Sequence, residues 1–155
     1  MPKEVKIKYS GSSGFTLVEL LLSLSLIAVV SVMSIPIYQS FQTKNDLAVA
    51  TNGLVQSLRR AQILSQSMVG DSGWGVFVTS GSAVLFRGSS YGSRNALYDE
   101  SSTMPTTITV SGLSQIVFDK FTGEPVATAT GNIFLVSINK ETSTIGINSQ
   151  GMISY

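Results

Sequence analysis

Residues 17–37 read LVELLLSLSLIAVVSVMSIPI, a run of twenty-one with a single charged side chain, Glu19. As an α-helix, rising 1.5 Å per residue, such a run reaches roughly 30 Å, the thickness of the hydrocarbon of a bilayer. It cannot be left facing water, so whatever the chain does must supply it with lipid or with apolar protein surface. Ahead of it, MPKEVKIKYSGSSG sets Lys3, Lys6 and Lys8 against Glu4, and this excess of positive charge predicts a cytoplasmic N-terminus with everything after residue 37 on the other side. A secretory signal peptide also begins basic and turns apolar, but its apolar core is about 7–15 residues and ends at small residues. Here the run is longer and carries a carboxylate.

At 155 residues the chain has room for one domain of ordinary size. At 43% hydrophobic and 12% charged residues the chain is more apolar than a soluble protein of its size. A formal net charge of +1 with no basic block argues against a nucleic-acid binder, whose footprint is a clustered excess of lysine and arginine. There are no cysteines and no histidines, which removes disulfides, thiolate chemistry, the commonest metal ligand and the commonest general base. An enzyme would have to rely on a Ser-Lys pair or a carboxylate dyad, and no spacing suggests either. No catalytic residue, metal site or cofactor is expected.

Inside the apolar run, Glu19 costs about 2.5–3.5 kcal/mol at mid-helix and less near an end. It either sits at headgroup depth or finds a cationic partner. The serines at 23, 25, 31 and 34 either bond back to the preceding turn of their own helix or mark close packing against another helix. Pro36 removes one backbone bond and is expected to kink the helix.

The string Ser13-Gly14-Phe15-Thr16-Leu17-Val18-Glu19-Leu20 closely resembles the processing motif of type IV prepilins and pseudopilins. The resemblance implies that prepilin peptidase cuts after Gly14 and N-methylates Phe15 as the new terminus. It also implies that Glu19, four residues on, pairs with the terminal amine of a neighbouring subunit, and that Pro36 is the kink proline many members carry. Physical reasons stand beside each part. A glycine before the cut offers bare backbone to an enzyme, and a buried carboxylate needs a cation, which cleavage creates one helical turn away. The implied partners are the peptidase, other pilin or pseudopilin subunits through the N-terminal helix, and the membrane.

Beyond Tyr38 polarity rises while the helical period persists. Leu47, Ala50, Leu54, Leu58, Ala61, Leu64 and Met68 recur every three or four residues and draw one apolar stripe, with Lys44, Asp46, Asn52, Gln56, Arg59, Arg60 and Gln66 opposite. Gly70-Asp71-Ser72-Gly73 is the expected stop, so one helix is predicted from residue 15 to about residue 69. Arg59-Arg60 reads as a solvated face.

From Trp74 the period shortens to strands near residues 76–79, 83–87, 106–110, 116–119, 133–138 and 144–147. Ser80-Gly81 suggests one tight hairpin and residues 139–143 another. A largely antiparallel sheet on the helix stripe is the economical solution, an α+β architecture. Residues 88–105, rich in serine, glycine and asparagine, read as a long surface loop for subunit contact, anchored by Tyr91, Leu97 and Tyr98. Asp99-Glu100 falls short of the ligands a calcium site needs. The expected division is a leader at 1–14, a transmembrane helix and filament core at 15–37, an amphipathic helix at 38–70 and a β-rich head at 71–155.

The turn glycines and alternating apolars of Ile116-Val117-Phe118-Asp119, Phe121-Thr122-Gly123 and Gly151-Met152-Ile153 resemble the head of the GspH/FimT group of minor pseudopilins. That resemblance implies the pilin fold and a structural subunit of a type II secretion pseudopilus or a type IV pilus, held in the bacterial inner membrane until assembly. Some members bind DNA through arginines near the last strand. Here no basic residue follows Lys140, so DNA capture is doubtful, and a filament-tip binding module for DNA or adhesion is the alternative role.

Overall fold

The computed structural model describes residues 14–155, with only the backbone described at 33–37 and at Thr128. The leader at 1–13 lies outside the described residues, as do the side chains of Ser34 and Pro36. The chain divides into two compact units, Met1–Tyr38 and Gln39–Tyr155. One helix, α1 (Leu17–Gln66), contributes to both.

In the first unit the helix begins two residues later than the sequence suggests, because Thr16 takes the cap. Its hydroxyl accepts the Glu19 N–H at 3.2 Å, a donor that a helix start leaves unpaired, and its carbonyl accepts the Leu20 N–H at 3.1 Å as the first bond of the helix. The serine hydroxyls donate within the helix, Ser23 to the Glu19 carbonyl and Ser25 to that of Leu22, both at 2.8 Å, and Ser31 to that of Ile27 at 2.7 Å. Among the described residues no helix is long and apolar enough to cross a membrane. The apolar run with described side chains, residues 17–32, is sixteen residues, about 24 Å as a helix.

The second unit packs the remainder of α1 on two sheets of four strands. Strands β1 (Trp74–Thr79), β2 (Ser82–Arg87), β3 (Glu100–Thr103) and β5 (Gln115–Phe118) form one, in the order β3-β2-β1-β5. Strands β4 (Ile108–Gly112), β6 (Gly131–Ser137), β7 (Thr142–Ile147) and β8 (Ile153–Ser154) form the other, in the order β4-β6-β7-β8. All neighbours are antiparallel. Ala50, Leu54, Val55, Leu58 and Ala61 of α1 share one buried cluster with Val76, Ile116 and Phe118 of the first sheet and Ile108, Ile133, Leu135 and Ile145 of the second.

Two sheets replace the single sheet expected, and the cause lies between β4 and β5. Leu113 donates its N–H to Asn132 of β6, while the next residue, Ser114, offers its carbonyl to Val78 of β1 at 2.8 Å. The chain therefore changes sheets between residues 113 and 114. Gly112 permits this with φ +90°, at a place where a Cβ would strike the Asn132 carbonyl.

Helix α1 also stops earlier than expected. Ser65 is fully buried, and its carbonyl receives N–H groups from both Met68 (3.0 Å) and Phe121 (3.1 Å). Met68 then turns left-handed (φ 50°) and lies 45% exposed, so it leaves the stripe to which its spacing assigned it.

The segment 88–105 is more ordered than a surface loop. It contains a short 3-10 turn, Ala96–Tyr98, and the edge strand β3, which pairs with β2 from Ser82↔Thr103 to Leu85↔Glu100. All four β3 side chains are exposed, so no alternation of polarity announces the strand. Tyr91 is a true anchor, stacked on Phe77 at 4.0 Å and edge-on to Phe86 at 5.6 Å. Tyr98 lies under the Arg87 guanidinium at 4.2 Å, whereas Leu97 is 90% exposed and anchors nothing.

Candidate functional site: the start of the apolar helix

Every described side chain from residue 14 to residue 32 is exposed, including Phe15 at 81%. A helix that is apolar on all sides and uncovered lacks the polar face by which an amphipathic helix meets water, so it is built for immersion in lipid or among other helices. Gly14 stands in open space, with no atom within 4 Å of where a Cβ would be. That leaves the Gly14–Phe15 peptide accessible, and the cap from Thr16 starts the helix just beyond it. Glu19 lies in the first turn, and no ion pair reaches its carboxylate among the described residues. The site therefore combines an accessible peptide bond, an uncovered apolar helix and a carboxylate still to be matched.

Residues 9–35 match the prokaryotic N-terminal methylation motif. The matched span includes Gly14, Phe15 and Glu19, and it supports a type IV pilin-like prepilin. A motif of this kind implies processing by prepilin peptidase, anchoring in the membrane and assembly with other pilin subunits. No curated protein and no solved structure matches the chain.

In the second unit, the charged residues singled out in the sequence are dispersed. Glu100 pairs with Arg60 at 2.7 Å, and Asp99 pairs with Arg94 at 2.7 Å, so the two adjacent acids point to separate arginines. The hydrogen bond from Arg94 to Asp99 raises the pKa of the guanidinium. Arg59 lies over the Tyr155 ring at 5.7 Å. Among the described residues no cluster could hold a metal ion.

Sequence reasoning missed the polar clasp at the end of α1. Gln62 donates to the carbonyls of Gly123 (3.0 Å) and Gly151 (3.1 Å), and Gln66 donates to that of Thr122 (3.3 Å). Lys120 reaches Asp71 at 2.6 Å. That hydrogen bond, with the charge behind it, holds the Asp71 carboxyl below the usual carboxylate range. One signal was available: Ser65 stands four residues after Ala61, in the buried register, where a small polar side chain has to be satisfied internally.

Proposed function

We propose that this chain is a minor pilin or pseudopilin of the GspH/FimT type, a non-enzymatic structural subunit of a type II secretion pseudopilus or a type IV pilus. Prepilin peptidase cleaves it after Gly14 and N-methylates Phe15. Its N-terminal helix holds it in the inner membrane, head outside the cytoplasm, and later packs in the filament. The observation that carries this reading is the methylation motif over residues 9–35, lying on a helix whose described side chains from Leu17 to Val32 are all exposed. Glu19 then meets the new terminal amine of a neighbouring subunit, which offsets the cost of removing a carboxylate from water.

The test is the N-terminus of the protein recovered from cells that carry a prepilin peptidase. Mass spectrometry should find methylated Phe15 as the first residue, and the uncut chain in cells lacking the peptidase. A terminus near Tyr38, as for a secreted β-rich protein that discards its first thirty-odd residues, overturns the assignment.

A further inference from the structure

Helix α1 covers one face of the first sheet, where Val76, Val78, Ala83, Leu85 and Ile116 join its buried cluster. Side chains alternate along a strand, so Phe77, Phe86 and Val117 lie on the opposite face. Phe86 and Val117 are nonetheless buried, at 0% and 2% exposed, and neither belongs to that cluster. Residues 88–99 lie over this face, with Tyr91 stacked on Phe77 and edge-on to Phe86. A second, smaller apolar layer is therefore present, and its cover is one segment of chain.

The segment leaves β2 after Arg87 and returns at Glu100, which pairs with Leu85, so its two ends are adjacent in the sheet. A loop of this shape can lift without breaking any strand pairing. Beside the stack of Arg87 on Tyr98, two hydrogen bonds among the described residues tie residues 89–99 to the fold beneath. The Tyr91 N–H donates to Gln115 Oε1 and the Asn95 N–H to the Arg87 carbonyl, both at 3.0 Å. The other backbone bonds of these residues are internal, from Ser93 to Ser90, Tyr98 to Asn95 and Asp99 to Ala96. Along one side a cleft of about 380 Å³ already parts Ser89 and Ser93 from Val117 and Asp119.

Arg94 closes the segment on itself. Its guanidinium lies over the Tyr91 ring at 3.7 Å, and because Phe77 occupies one face of that ring, the arginine takes the other. The same planar fork donates from Nε to Asp99 Oδ2 at 2.7 Å and from a terminal nitrogen to the Tyr91 carbonyl at 2.8 Å. One side chain thus joins the residue that enters the apolar layer to the residue at which the loop returns. Closure also carries a cost. Asp99 Oδ1 is buried with no hydrogen-bond partner among the described residues, and opening would give it to water.

We propose that residues 88–99 are a lid that opens as one unit, latched by Arg94, and gates the Phe77–Phe86 face of the first sheet. Opening is local: β1, β2 and β3 keep their pairing while Phe77, Phe86 and Val117 come to the surface. The lid does not depend on the subunit reading above.

Hydrogen exchange of the full-length chain in detergent micelles, followed amide by amide by NMR, tests it. The Tyr91 and Asn95 N–H groups report the lid, and the Val78 N–H, bonded to the Ser114 carbonyl, reports the sheet. Protection at Tyr91 and Asn95 should be lower than at Val78 by at least about a hundredfold. Arg94→Lys keeps the charge and loses the planar fork, so it should lower lid protection about tenfold further and leave Val78 unchanged. Val78 thereby also confirms that the variant is folded. Equal protection at all three positions in the parent would mean that this face is uncovered only by global unfolding, and overturns the proposal. Arg94→Lys that leaves the lid amides unchanged, or that speeds Val78 as much as Tyr91 and Asn95, overturns it too.

Discussion

The Ser65 hydroxyl accepts the backbone N–H of Trp74 at 2.8 Å and donates to the carbonyl of Phe118 at 3.1 Å, so one fully buried side chain joins the end of α1 to the start of β1 and the end of β5. Trp74 and Phe118 are themselves register partners in the β1–β5 pair. The helix is thus fixed to the sheet at the point where both strands pass it.

Replacing Ser65 by alanine strands the Trp74 N–H and the Phe118 carbonyl away from water. An unpaired buried group costs about 1–3 kcal/mol, so Ser65→Ala should destabilise the head by about 2–3 kcal/mol. Trp74, the only tryptophan and 4% exposed, reports the transition. Urea unfolding of the full chain in micelles should show a lower midpoint with an unchanged slope. A midpoint within error of the parent's would show that Ser65 is not what holds these elements together.

Phe121→Gly should raise stability by about 1 kcal/mol, because glycine adopts φ 80° without the strain a side chain brings. The ring gives up little burial in exchange. The same urea titration measures it, and a lower midpoint would mean that the ring packs on its own head after all.

The depressed pKa of Asp71 fixes the sign of a pH effect. Lys120 stabilises the ionised carboxylate in the folded state, so the contribution is present above the ordinary carboxylate value of 3.8 and is lost as pH falls through and below it. Thermal melts of the parent should therefore lose stability below about pH 4 faster than those of Asp71→Asn, while Lys120→Met should resemble Asp71→Asn. The pair is exposed, so the difference at neutral pH should be small. Parallel acid limbs for parent and variants would remove the ion pair from the account.

How much of this was legible depended on periodicity. The stripe of Leu54, Leu58 and Ala61 is buried as its spacing demanded, because a 3.6-residue period is imposed by the helix itself. The hairpin at Ser80-Gly81 followed from turn chemistry, and Gly81 has φ 98°. The edge strand β3 was not legible. Its Glu-Ser-Ser-Thr side chains all face solvent, and backbone pairing with β2 alone makes it a strand. Nor was the division into two sheets, which turns on Gly112 meeting the Asn132 carbonyl twenty residues away. At the N-terminus the processing motif could be read because its chemistry is local, four residues from Phe15 to Glu19. The clasp of Gln62, Ser65 and Gln66 joins positions 9 to 89 residues apart, so the neighbouring sequence announces only that Ser65, in the buried register, needs a partner, and not which one.

Glu19 should matter to assembly and not to cleavage. On the proposed processing, the peptidase acts at the Gly14–Phe15 bond before Glu19 is buried among other helices. The Glu19 N–H is bound by Thr16 through the backbone, so removing the carboxylate leaves the cap in place. Glu19→Ala should then yield a normally processed, methylated Phe15 terminus by mass spectrometry. Between apolar helices the unmatched α-amino group of a neighbour becomes the uncompensated charge, and breaking a buried pair by removing one partner costs about 3–5 kcal/mol. Recovery of the variant in sheared filaments should accordingly fall by at least about a hundredfold if that cost is expressed in full. Glu19→Gln, which keeps the shape and loses the charge, should fail similarly, since an amide cannot neutralise an ammonium group. Filament incorporation of Glu19→Gln at the parent's level would show that shape at position 19, and not charge, registers the subunits.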